Sequence, residues 1–220
     1  SADGLMNVAE LVNGGKTDIN ITLDKNIDLT GKGWTPIGTD YDNSYTGTFD
    51  GGGHTITGLT VTTNDEYAGL FGYLGNFNNG AATVKNVVMD GIQITCNHRS
   101  GYAGGVAGYS WGTIENCSVS GSVSGTVYVG GVVGVQIGGS ITGCSSSATV
   151  KGTVDVGGVA GQTNSSATLT ACYATGNVII EIDRTQDISG GGLVGFNDGI
   201  SLLSCYATGN VTSTGSSTGH

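Results

Sequence analysis

The chain is poor in charge, poorest in basic residues, and almost free of proline. Of its 220 residues 11% are charged, with 17 Asp and Glu against 7 Lys and Arg, for a net charge of -10. Phosphate backbones are gripped by clusters of Lys and Arg, so nucleic acid is excluded as a natural partner. The surplus acid serves solubility instead. A single Pro and the lack of a strict Gly-X-Y period exclude a collagen-like triple helix. No apolar run approaches the roughly 18 residues that cross a membrane, so this fragment has no span. No signal peptide is visible, and the abrupt start at Ser1 reads as an excised or mature fragment. His54, His98 and His220 are scattered, with no His-Glu-x-x-His among them. A metalloprotease centre is therefore excluded from this stretch, and no cofactor is implied.

What the sequence does have is glycine, 42 residues of it, among Ser, Thr and small or β-branched apolar residues. Such a chain makes many short strands with tight corners. Its Val, Ile and Leu recur throughout, which argues against disorder.

The glycines recur in register. A Gly-bracketed apolar pair appears as Gly69–Gly72, Gly105–Gly108, Gly131–Gly134, Gly158–Gly161 and Gly192–Gly195, the closing glycines 36, 26, 27 and 34 residues apart. A second element follows, ending in Val87 in the first repeat and in Cys117, Cys144, Cys172 and Cys205 in the others. Six residues past each Cys lies Val123, Val150, Val178 or Val211. Three short apolar segments per repeat describe one coil of a three-faced solenoid, stabilised by stacking on its neighbours. The expected fold is all-β: a right-handed parallel β-helix of roughly seven coils with an N-terminal capping helix.

Stacking in register predicts interior ladders. One joins Leu70, Val106, Val132, Val159 and Leu193; a second joins Val84, Ile114, Ile141, Leu169 and Leu202. The third joins Val87, Cys117, Cys144, Cys172 and Cys205 as a structural core ladder. Parallel stacked side chains suit packing better than the disulfide dihedral, so these thiols are expected free and buried. Cys96 lies outside that slot and reads as an exposed thiol or half of an unforeseen pair.

Before the repeats, Leu5, Val8, Ala9, Leu11 and Val12 fit one helical face, with Asp3 as N-cap and Gly14-Gly15 as stop. The expected organisation is a capping helix over 1–15, irregular coils over 16–66, repeat coils over 67–211 and a linker or truncated end over 212–220. Longer loops are expected at Asn76–Ala82, Cys96–Ser100 and Glu181–Asp187.

The run Gly191 to Ile200, followed by Cys205-Tyr206-Ala207-Thr208-Gly209-Asn210-Val211, closely resembles the GLUG motif. Trp34-Thr35-Pro36-Ile37-Gly38 and Gly47 to Ile56 resemble the segment that commonly precedes GLUG repeats. The motif occurs in tandem in bacterial surface proteins, including adhesin-like proteins and non-catalytic parts of IgA1-specific metalloproteases. Ser145-Ser146-Ser147 departs from the pattern, standing where Tyr-Ala-Thr is usual. The resemblance implies an extracellular, cell-surface or secreted bacterial setting. The function it implies is a non-enzymatic structural or adhesive module. Its partners would be host or matrix glycans or proteins and the other domains of a longer chain. The alternatives are a carbohydrate-active β-helix enzyme and an accessory domain of a larger surface protease.

Site candidates are few. Tyr173 and Tyr206 share a slot just after the ladder Cys, and Tyr102 and Tyr128 share one before the Gly motif. Stacked rings of this kind can receive sugars or simply stabilise the face. Trp34, Tyr41, Tyr45 and Trp111 are a further aromatic set. Asp40-Tyr41-Asp42-Asn43 lacks the glutamate and central Gly of a calcium loop and reads as a solvated acidic turn. Asp50, His54 and Asp90 are the acid–base groups that neighbouring coils can bring together, although Gly51-Gly52-Gly53 reads as a tight corner. No metal site and no catalytic residue is assigned.

Overall fold

The computed structural model describes residues 1–78, 80, 82–182 and 187–215. It is a parallel β-solenoid of about six turns with one N-terminal helix. Its strands form an 11-stranded, a 10-stranded and a 5-stranded sheet, which line three faces. Among the described residues the 5-stranded face has no rung level with Ile21–Thr22 or with Leu202–Leu203.

The ladders run as their slots require. Val84 pairs with Ile114, Ile114 with Ile141, Ile141 with Leu169, and Leu169 with Leu202. Phe49 and Ile21 extend that column toward the N-terminus. Val61, Ile94, Val123, Val150, Val178 and Val211 form another. Each residue alternates with outward-facing neighbours, so one side chain in two enters the core. The stacked columns give one continuous core from Leu5 to Ile200.

The corner before the cysteine column holds a left-handed residue in five successive turns. Asn86, Asn116, Gly143, Ala171 and Ser204 hold φ between 50° and 63° there. Asn tolerates this region through local hydrogen bonding, and Gly has no Cβ to clash. The Asn116 amide donates to Asn86 Oδ1 at 3.5 Å, and the Asn86 amide donates to Asp50 Oδ1 at 3.0 Å, so adjacent corners are tied along the axis.

The helix Ala2–Asn13 buries Leu5, Ala9 and Val12 against the first coil. Its N-cap is Ser1, whose hydroxyl accepts from the Gly4 N–H at 3.2 Å, rather than Asp3. Asp3 sits inside the first turn and pairs with Lys32 at 2.9 Å. At the other end, the Asn13 amide donates to Pro36 O at 3.0 Å and accepts from the Gly38 N–H at 2.8 Å. Within the irregular coils, residues 18–29 hold two short strands, Ile21–Thr22 and Ile27–Asp28.

The C-terminal stretch is more ordered than a linker. Val211–Thr214 is a strand paired with Val178–Glu181. Residues 216–220, with His220, lie outside the described residues, as do 79, 81 and 183–186 within the two expected loops.

Candidate functional site

All five cysteines are free. Cys117, Cys144 and Cys172 are buried in one column; Cys205, in the last coil, is only half-buried. Cys96 is neither exposed nor paired. It ends the strand Val88–Cys96 at 2% exposure, and its thiol donates to Asp65 O at 3.3 Å. Burial raises its thiol above the ordinary range. The cysteines are packing groups.

The acid–base candidates are separated. Asp50 lies on the 10-stranded sheet, where it accepts from the Gly52 N–H and the Asn86 amide and pairs with Lys85 at 3.4 Å. Those partners, the Gly52 N–H first, hold its carboxyl below the usual range. Asp90 lies on the 11-stranded sheet, opposite Thr57, and accepts from the Ser120 hydroxyl at 2.7 Å. His54 follows the corner at Gly52 and Gly53, which both have positive φ. At Asp40, partial burial raises the carboxyl, but hydrogen bonds from Asn43, Thr39 and the Asp42 N–H outweigh it and lower it. Those bonds close an acidic turn. Among the described residues no group of three or more His, Cys, Asp or Glu is placed to hold a metal.

The aromatic set Trp34, Tyr41, Tyr45 and Trp111 is not one surface. Trp34 is buried and its indole donates to Leu70 O at 3.2 Å. Tyr45 is fully buried against Phe71, and its hydroxyl donates to Ile19 O at 2.7 Å. Tyr41 meets Tyr73, while Trp111 meets the exposed Phe77.

The two tyrosine pairs are both stacked, in different environments. Tyr102 and Tyr128 lie 4.7 Å apart, and Tyr67 extends the stack on the other side at 5.2 Å. A second column, Tyr73 and Tyr109, interlocks with it edge to face. Tyr73 is buried and the rest are half-buried. Burial above all, with neighbouring phenols adding to it, raises the pKa of Tyr67, Tyr73 and Tyr102, that of Tyr102 to about 12. This cluster is closed packing that stiffens the face.

Tyr173 and Tyr206 are different. Their rings are parallel within 3°, 5.1 Å apart, and 38% and 54% exposed. They point outward from strands Tyr173–Ala174 and Tyr206–Ala207, whose alanines face the core. The same outward row continues through Ser145, Ser118 and Val88. Beside it runs Asp90, Ser120, Ser147 and Thr175, and the two rows border a recess of about 230 Å³.

A profile for the GLUG motif matches residues 100–124 and 125–151. The chain carries GLUG repeats. The two matched GLUG units are the turns of Tyr102–Gly104 and Tyr128–Gly130, stacked in register. Half the chain is similar to halomucin of Haloquadratum walsbyi, 43% identical over 105 residues, which are 47% of this chain and 1% of halomucin. It is also similar to a provisionally named Gly-rich membrane protein of Evansella cellulosilytica, 38% identical over 101 residues, 46% of this chain and 11% of that protein. A crystal structure from Bacteroides ovatus, provisionally named an immunoglobulin A1 protease, superposes with a TM-score of 0.81. It is 24% identical, and the match covers 95% of this chain and 65% of that one, a likeness of fold. The matched stretches span only 1% and 11% of the length of these two curated relatives.

Proposed function

We propose that this chain is a non-enzymatic adhesive module of a secreted or cell-surface protein, making contact through the Tyr173–Tyr206 platform. The observation that carries this reading is the exposed, parallel ring pair, which offers rigid aromatic area at low entropic cost. The GLUG repeats support a repeat module, and the names of its mucin and membrane-protein relatives support a surface setting. The absence of turnover rests on geometry: Asp50 and Asp90 sit on different sheets, each held by its own partners, whereas hydrolysis needs two carboxylates facing one bond.

The test is adhesion of the immobilised chain to host cells, matrix proteins and glycans, beside polysaccharide lyase and hydrolase assays. The expected result is binding without cleavage, reduced at least tenfold by Tyr173→Ala with Tyr206→Ala. Cleavage lost in Asp50→Ala or Asp90→Ala, or adhesion unchanged in the tyrosine variant, would overturn it.

A further inference from the structure

The outer surface of the 11-stranded sheet carries long rows of hydroxyl side chains beside a few charges, Asp28, Asp90 and the Lys151–Glu181 pair. The row that contains the tyrosine platform reads Thr55, Val88, Ser118, Ser145, Tyr173 and Tyr206 along the axis. The row beside it reads Thr57, Asp90, Ser120, Ser147, Thr175 and Thr208. Beyond a bend marked by the positive φ of Gly58, Gly91 and Gly121, a third row begins Thr60, Gln93, Ser122 and Thr149. The charges of these rows lie toward the N-terminal side, at Asp90 and at Asp28, which precedes Thr57 in the second row. From Ser118 to Tyr206 and from Ser120 to Thr208 the rows are a strip of hydroxyls.

Hydroxyls that both donate and accept, repeated at the inter-strand spacing of about 4.8 Å, form a periodic hydrogen-bonding surface. The first two rows line a recess, so part of this surface is concave rather than flat. At one end of it stand two parallel, mutually stacked aromatic rings, whose exposed surface is a partner for the apolar face of a sugar ring. At the other end Asp90 accepts from Ser120, whose hydroxyl also receives the Gly91 N–H at 3.0 Å. The carboxylate is thereby fixed in place with oxygen lone pairs left for a ligand hydroxyl.

We propose that this trough binds one extended, uncharged polysaccharide chain lying along the solenoid axis, its sugar rings packed against the exposed surface of Tyr173 and Tyr206 and its hydroxyls bonded to the Ser and Thr rows. A polyanion is disfavoured by Asp90 and by the net charge. A short sugar is disfavoured because the polar rows run on for several rungs past the platform. This assignment rests on the adhesive reading and names its ligand class.

The test uses the whole chain and stated probes. Cellulose, xylan, mannan and chitin are the neutral set; heparin and polygalacturonate are the polyanions; oligosaccharides of two to eight units come from whichever neutral polymer binds. The expected result is retention by at least one neutral polymer, with affinity rising at least tenfold from the dimer to the hexamer. Ser147→Arg, an exposed position midway along the trough, should abolish that length dependence while leaving the melting temperature unchanged. Binding of polyanions only, equal affinity for dimer and hexamer, or full binding by the folded Ser147→Arg variant would each overturn the proposal. Adhesion that requires the tyrosine pair, in a chain that retains none of the neutral polymers, would sink this assignment and leave the adhesive reading standing.

Discussion

The two ends of the solenoid are built from the same slots and end up in opposite environments. At the N-terminal end a helix lies over the first coil, and Leu23, Ile27 and Leu29 beneath it are buried. At the C-terminal end of the described residues Leu202 is 40% exposed and Val211 45%, while Leu169 and Val178, one rung earlier in the same columns, are fully buried. The residue types barely change between those rungs. Burial here is a property of the next rung along the axis rather than of a coil's own residues, as expected of a quasi-one-dimensional fold.

The largest break in this comparison is to strip the N-terminal end. Deleting residues 1–15 removes the buried Leu5, Ala9 and Val12. At about 1.5–3 kcal/mol per large apolar side chain, it should cost about 4 kcal/mol and promote association through the bared rung. Chemical unfolding with light scattering measures both; a monomer of unchanged stability would show that the helix covers nothing that matters.

A paired substitution sharpens the same point. Leu169→Ala should cost about 3 kcal/mol, because it leaves a cavity between packed rungs, and Leu202→Ala about 1 kcal/mol, because solvent already reaches it. Equal costs in denaturant titrations would mean that the last rung is as well packed as the middle.

A smaller effect lies on the 5-stranded face. Asp155 follows Tyr128 in the tyrosine column, is 7% exposed, and has its carboxyl pushed up to about 6 by burial against the pull of Ser189. A carboxyl raised above its ordinary 3.8 favours the folded state when neutral, so that contribution is complete below pH 4 and is lost as pH rises through 6. Asp155→Asn should therefore be more stable than wild type at pH 8 by about 1–2 kcal/mol, discounted for the carboxyl's remaining contact with water, and equal to it near pH 4. A gain independent of pH would exclude the charge as its cause.

The repeats made the core legible. Because every coil reuses the same slots, the spacing of the glycines and cysteines was enough to place Ile114 on Ile141 and Tyr173 on Tyr206. Where the chain does not repeat, that leverage disappears: Trp34 and Tyr45 sit in irregular coils, and only the tertiary structure shows them buried. Tyr67 was hidden by a coil one residue shorter between it and Gly72 than between Tyr102 and Gly108, although it pairs with Tyr102 in register. Tyr73 and Tyr109 each follow a closing glycine, a signal present in the sequence that would have revealed the second aromatic column. The trough needed the alternation of inward and outward residues across six strands before its rows of hydroxyls became visible.

The cysteine column tests the dependence of burial on the neighbouring rung most directly, since one chemistry samples four successive positions. Native-state alkylation followed by peptide mass spectrometry should modify Cys205 first, with Cys117, Cys144 and Cys172 reacting only as fast as the whole chain unfolds. Labelling of Cys144 or Cys172 at the rate of Cys205, in protein that remains folded, would contradict the account.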